Sequence, residues 1–465
     1  MEKELQNLQI ADFILSSDFS KIGDENIDQL KRHLLDALGS MFYAFDKPPI
    51  RKLMTQLRVI GDGGQCSVPF IGKLAYDRAA QWYTALIRYP DFMDNYMGKE
   101  ATCHPSDNLG PLFSAAQFSQ ASGRDFLTAM AISYQLQCRL VEEIPVMKEG
   151  IDHTLLLAYS MVAGAAKLLK LERTQIAHAL GIAGSFIAPT VTSRASYTYE
   201  WKGMASSLDA LDCINILFLA REGMTGPISL FEGPKGFQDV FGMKLDYNWE
   251  EEDFSLIRRC VLKKYNAEVH SQSSIDAVLE LKRDHQINPE DIEDIAVTTF
   301  LTAFHIIGSG VYGDRKVVNS KEQADHSLHY LIAVALLDGD VWPEQFEQDR
   351  ITKPDVQNLL RRVSVDTKFP VHKPIEVAGL LDPYTLAYPD KMKTKVRISL
   401  KNGKSFSCEK EDYPGFFTRP LGWEEVQYKF RRLSTGVISS SRQDQLIEIV
   451  TTLENRDLGE LFGEH

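Results

Sequence analysis

The sequence predicts a mainly α protein in which a smaller α+β domain interrupts a large all-helical one. Three observations carry that expectation. Apolar residues recur at helical spacing through the first half of the chain and return from Trp423 to about Leu453. Two of the early helices are apolar nearly all round, which indicates a large helical core. From Lys263 the chain alternates helices with strands, and it ends that stretch in a hairpin turned at Asn402-Gly403. The economical arrangement is a helical domain built from both chain ends, residues 1–262 and 412–465, with an α+β domain at 263–411.

In chain order, Ile27, Leu30, Leu34, Leu35, Leu38 and Phe42 predict the first long helix, with Asp28 near its front. Pro48, Pro49 and the run Gly61-Asp62-Gly63-Gly64 punctuate a connection. The glycine run lacks the strand and helix context of a nucleotide fingerprint and reads as a turn. Leu109, Leu112, Phe113, Ala116 and Phe118 predict a helix entered from the Ala-Thr-Cys-His-Pro-Ser-Asp stretch at 101–107. Pro105 suits its first turn, and Ser106 or Asp107 its cap. Helices follow at 126–141, 154–171, 173–187 and 206–222, and small residues such as Gly164, Gly181 and Gly184 let them approach closely. The charge run Glu250-Glu251-Glu252-Asp253 reads as a solvated helix start. In the insertion, Ile292, Ile295 and Val297 mark a strand, 327–337 a helix closed by Asp338-Gly339-Asp340, and 394–410 the hairpin.

The bulk composition bounds the function. At 465 residues the chain is too long for one ordinary core. Its 44% apolar and 25% charged residues are those of a soluble globular protein. A net charge of -13 argues against a nucleic-acid partner, because phosphate backbones need clustered Lys and Arg. A small anion remains compatible, since a local pocket can be positive on an acidic protein. No apolar run reaches the ~18 residues needed to span a membrane. Residues 1–17 lack the pattern of a secretory leader, so a cytoplasmic location is the expectation. Cysteines at 66, 103, 138, 213, 260 and 408 include no close pair, so neither a disulfide framework nor a zinc ribbon is supported. The clustered spacing usual for an iron–sulfur site is also missing.

Four segments carry candidate chemistry. Asp91, Asp94, Asn95 and His104 form the first, with His104 beside the positive end of a predicted helix, where an anion is welcome. His153, at the start of the 154–171 helix, is in the second. Tyr197-Thr198-Tyr199-Glu200-Trp201-Lys202-Gly203 is the third, and Tyr265 to Gln272, with His270 and Ser271, the fourth. Each histidine alone reads first as a satisfied structural residue. Together, three imidazoles and an ammonium suit a polyanion, and the fourth segment falls at the expected domain boundary, where ligands favour clefts. Asn95, Arg194, Tyr197 and Ser271 are candidate substrate contacts. His326 and His329 lie three apart, a spacing that can ligate a metal. The preferred reading has Asp325 and His326 capping the helix that follows, with no metal.

These segments resemble the MmgE/PrpD family, which includes 2-methylcitrate dehydratase, cis-aconitate decarboxylase and iminodisuccinate epimerase. The likeness covers nearly the whole chain. It is sharpest at Asp91-Phe92-Met93-Asp94, Cys103 to Gly110 (CHPSDNLG), Gly150 to Thr154, Val269-His270-Ser271-Gln272 and Ala324 to Tyr330 (ADHSLHY). It implies a large helical domain, a smaller lid domain, a homodimer and no cofactor. It places Asp91, His104, His153, Lys202 and His270 at active-site positions. Asn95 stands where the decarboxylase has Thr, and HPSDN looks closer to the dehydratase-like branch.

The expected activity is therefore dehydration of 2-methylcitrate or citrate, a hydro-lyase reaction on a small tricarboxylate. Such a reaction removes a weakly acidic proton beside a carboxylate and expels hydroxide from the next carbon, so it needs neutralised carboxylates, a base and an acid. With an iron–sulfur Lewis acid unsupported by the cysteine pattern, His and Lys must supply them. On this reading Lys202 and His104 hold carboxylates, His153 and His270 share the acid and base roles, and Asp91 steadies His104. The alternatives are decarboxylation or epimerisation of a related di- or tricarboxylate, and a catalytically inactive interaction protein.

Overall fold

The chain divides into two compact units in this computed structural model. Met1–Val191, Gly203–Leu262 and Gly422–His465 make the first, and Thr192–Lys202 with Lys263–Leu421 the second. Residues 4–60, 62–98, 101–195, 198–308, 314–369 and 381–462 are described. Thr192–Lys202 and residues 412–421 thus group with the second unit rather than the first.

The first unit is helical at its centre. Asp24–Ala44 buries Leu30, Leu34, Leu35 and Ala37 completely, on the face that the apolar spacing marks. Trp423–Ser434, from the far end of the chain, packs against it. A buried ion pair, Lys429 Nζ to Asp36 Oδ1 at 2.8 Å, ties the two helices. Burial pushes the Asp36 carboxyl pKa up, and the Lys429 ammonium opposes that rise. Gly123–Glu143, opened by a Ser122/Asp125 capping box, packs against Thr154–Leu168. A Cβ on Gly164 would stand 2.1 Å from Ser133 Oγ, so this approach requires glycine.

Several expectations are corrected here. The unit is not all-helical: Asp62–Val68 pairs with Gly72–Leu74, and Tyr96–Met97 with Thr102–Cys103. Gly63 and Gly64 therefore lie in a strand rather than a turn. Gly63 has φ +85, and a Cβ on Gly64 would lie 1.9 Å from the Leu74 carbonyl carbon, so glycine serves a bulged, closely approached strand. Pro105 does open the helical segment, as a 3₁₀ turn Pro105–Asn108 that runs into Leu109–Ser119. Ser106 and Asp107 do not cap it, because both lie inside the turn. The Ser106 N–H donates instead to Asp94 Oδ1 at 2.9 Å. In the charge run, Glu250 and Glu251 are exposed, but the Glu252 carboxylate is buried on Arg139, at 2.9 Å from Nε.

The second unit carries a four-stranded sheet in the order Val363–Thr367, Ile292–Thr299, Thr394–Leu400, Ser405–Lys410. The first pair is parallel and the other two are antiparallel. The hairpin turn has Gly403 at φ +83, as an Asn-Gly turn demands. Gln272–His285 packs on both hairpin strands and on Leu328–Asp338. Leu328–Asp338 ends at Gly339, φ +83, as expected. Its cap is Ser327, whose Oγ accepts from Tyr330 N–H at 3.1 Å. Asp325 and His326 are occupied elsewhere, which corrects the capping assignment. Among the described residues no helix is long and apolar enough to cross a membrane.

Candidate active site

In the first unit, chemistry gathers around the Asp91–His104 stretch. Asp91 follows the Tyr76–Arg88 helix in the left-handed region, φ +55, a conformation that costs a non-glycine residue energy and is common at functional sites. Its carboxylate lies 3.2 Å from Arg88 Nη1, and Arg88 Nε stands 3.7 Å from Asp107. Asp94 accepts from Ser106 N–H (2.9 Å) and Tyr134 O–H (2.8 Å), and lies 2.8 Å from His33 Nδ1. Burial would raise its pKa, but His33 and the Ser106 hydrogen bond together hold the carboxyl below its ordinary value.

His104 is positioned by that frame. Its Nδ1 lies 3.2 Å from the Asp94 carbonyl oxygen and 3.0 Å from Asn95 Nδ2. A carbonyl only accepts, so Nδ1 carries a proton, and an Asn95 amide turned to present Oδ1 accepts from it as well. Nε2 becomes the working nitrogen, a base when neutral and a carboxylate donor when protonated. The His153 ring stands 5.7 Å from that of His104, edge-on at 66°. His153 immediately precedes the Thr154–Leu168 helix, and its loop is set by Gly150 at φ +81 and by Asp152 N–H donating to the Pro189 carbonyl at 2.8 Å. Asp152 Oδ1 lies 3.8 Å from His153 Nε2.

The second unit holds the other group. Lys202 is buried in the Glu200–Gly203 turn, with Nζ 3.4 Å from His326 Nδ1. His326 Nδ1–H donates to Asp325 Oδ1 at 2.6 Å, and Lys321 Nζ lies 2.8 Å from Asp325 Oδ2. Burial works to raise the Asp325 pKa, yet Lys321, His326 and Lys202 together hold it far below the usual carboxylate range. His270 donates Nδ1–H to Glu268 Oε1 at 2.6 Å, while its backbone N–H donates to Oε2 at 2.9 Å. Its Nε2 lies 3.0 Å from Tyr388 Oη. Phe300 stacks on Tyr388 at 4.8 Å and closes an aromatic wall beside His270. Burial would raise the Glu268 pKa; His270 above all, with His326 and Lys263, holds it lowered.

Asp91, Asn95, His104 and His153 are thus brought together in one unit, and Lys202 and His270 in the other. Arg194 falls in the short helix Thr192–Ala195, and Tyr197 lies outside the described residues. The Ser271 hydroxyl donates to the Glu268 carbonyl at 2.6 Å. Arg88, His33 and Tyr388 were not legible as site residues. Tyr388 meets His270 across 118 residues of sequence, with no local signal to mark it. The structure also brings Cys138 and Cys260 Sγ to 3.7 Å, but burial pushes both thiols up and keeps them protonated, as structural cysteines are.

Residues 8–250 match the MmgE/PrpD N-terminal domain, and residues 265–455 match the MmgE/PrpD C-terminal domain. The chain belongs to the MmgE/PrpD family. Among its relatives, the 2-methylcitrate dehydratase of Escherichia coli (strain K12) is 27% identical over 416 residues, 84% of this chain and 83% of that protein. The cis-aconitate decarboxylase of Mus musculus is 23% identical over 459 residues, covering 93% of this chain and 87% of its own. The 2-methylcitrate dehydratase of Cupriavidus necator is 26% identical over 362 residues, 72% of each. This MmgE/PrpD chain therefore aligns along most of its length with relatives named for two different activities.

Proposed function

We propose that this chain is a lyase that dehydrates 2-methylcitrate, or citrate, to an aconitate-type product by acid–base chemistry. The observation that carries the reading is the Glu268–His270–Tyr388 relay. A buried carboxylate fixes the proton on Nδ1, and a phenol meets Nε2, so His270 can exchange a proton at one defined atom. Two further groups support substrate binding, one in each unit: Lys202 supplies a buried ammonium for a carboxylate. His104 supplies an Nε2 whose tautomer Asn95 and Asp94 set. In this reading Lys202 and His104 hold carboxylates, while His153 and His270 share removal of the α-proton and protonation of the departing hydroxide. Asp91, with Arg88, shapes the loop that carries His104.

The test incubates the chelator-treated protein with 2-methylcitrate, citrate and cis-aconitate, reading alkene by absorbance and carbon dioxide separately. Alkene from 2-methylcitrate, lost in Lys202→Ala and His104→Ala, is the expected result. No turnover of any of the three would overturn the reading. Decarboxylation of cis-aconitate is the second reading, favoured by the murine relative's coverage of 93% of the chain. Carbon dioxide release from cis-aconitate without alkene from 2-methylcitrate would select it.

A further inference from the structure

Arg315 sits outside every motif in the sequence, yet it is one of the most deeply buried cations of the second unit. Only 6% of it is exposed. Among the described residues, its Nε and Nη2 have no hydrogen-bond partner. Those two nitrogens share one edge of the guanidinium and carry two parallel N–H bonds, the edge that grips a carboxylate side-on with both oxygens. Leaving that edge unmatched in a buried place is costly, and proteins rarely retain it without a use.

The backbone holds Arg315 beside the second unit's polar cluster, because the Ser327 hydroxyl donates to the Arg315 carbonyl. Ser327 directly follows Asp325 and His326. The guanidinium lies within electrostatic reach of Asp325 and Glu268, both of which favour its charge, while burial opposes it. Those two carboxylates are already engaged. Asp325 is served by Lys321, His326 and Lys202, and Glu268 by His270, His326 and Lys263. Arg315 therefore adds positive charge to a cluster whose own acids are satisfied, and the group that best completes it is a further anion brought from outside.

We infer that Arg315 is a substrate-binding residue whose Nε/Nη2 edge takes one carboxylate of a di- or tricarboxylate held against the Lys202–His326–Glu268 cluster. This deepens the proposed function and rests on it. It also assigns the second unit two separate cations for the ligand, an ammonium and a guanidinium fork, which suits a substrate with at least two carboxylates.

The experiment uses the full-length protein, with the unreactive propane-1,2,3-tricarboxylate as probe in calorimetry and thermal shift, and 2-methylcitrate for kinetics. Removing a charge-assisted bidentate contact is expected to weaken tricarboxylate binding roughly 10- to 150-fold in Arg315→Met. KM should rise far more than kcat falls. The ligand-free variant should melt at or above wild type, since an unmatched buried charge has been removed. Arg315→Lys, which keeps the charge and loses the fork, should fall between the two. Should Arg315→Met not fold, weakened binding by folded Arg315→Lys carries the test. Wild-type affinity in whichever of these variants folds overturns the inference and leaves the proposed function standing. Wild-type protein that neither binds the tricarboxylate nor turns over 2-methylcitrate overturns both.

Discussion

His104 and His270 are both buried imidazoles held through Nδ1, and they differ in what holds them. His270 leans on a carboxylate, Glu268, that also accepts its backbone N–H. His104 leans on neutral groups, a backbone carbonyl and the Asn95 amide. A charged partner both orients a ring and stabilises the positive charge that appears when the ring takes a proton; a neutral one chiefly orients. The contrast favours His270 for proton transfer and His104 for holding an anion through Nε2.

Glu268→Gln breaks the stronger anchor. It keeps the shape but removes the charge, and is expected to lower kcat on 2-methylcitrate roughly 10³-fold, within the range for general acid–base groups. If the loss is no larger than that from Asn95→Ala, the distinction between the two histidines is wrong. His329 shows an imidazole with neither anchor: it is buried, its Nδ1 has no partner among the described residues, and burial, with Lys316 beside it, pulls its pKa down to about 4. The unfolded chain takes up that proton near pH 6.5, whereas the folded one resists until about 4. Stability from this group is complete above about 6.5 and is lost as pH falls toward 4, about 3 kcal/mol in all. His329→Leu should flatten that part of the acid-stability curve in urea titrations. An unchanged slope would mean that the imidazole is not held neutral.

Asn95→Ala tests the weaker anchor and should cost about 10-fold in kcat/KM, mostly in KM, because a neutral orienting bond contributes ~1 kcal/mol. Tyr388→Phe should be the mildest, a loss of about fivefold in kcat for one neutral hydrogen bond at Nε2. A loss matching that of Glu268→Gln would instead make the phenol a proton carrier in its own right.

Helices such as Asp24–Ala44 and Thr154–Leu168, the Asn402-Gly403 hairpin and the strand Ile292–Thr299 were legible because each depends on local periodicity or turn chemistry. Pro48–Ile60, read as a connection, is a helix, and the edge strand Val363–Thr367 carried no mark. His104, His153, Lys202 and His270 were legible only as members of a family pattern, since a single buried histidine looks the same whether structural or functional. What sequence hid was whatever depends on distance across the fold. The glycine run at 63–64 looked like a turn until the Leu74 backbone lay against it. Ser106 and Asp107 looked like caps until Asp94 supplied that role from another segment. Tyr388 and Arg315 carried no mark at all.

The ion pair between Lys429 and Asp36 bears on how this molecule is made. During synthesis the Asp24–Ala44 helix leaves the ribosome long before Trp423–Ser434 exists to cover it. For nearly the whole of translation its apolar face and the Asp36 carboxylate wait without their native partner. Contacts closed over almost four hundred residues are slow to form and leave sticky surface exposed meanwhile. A nascent chain halted before Trp423 should therefore be a strong chaperone client, and release of the last helices the step at which the first unit becomes protease-resistant.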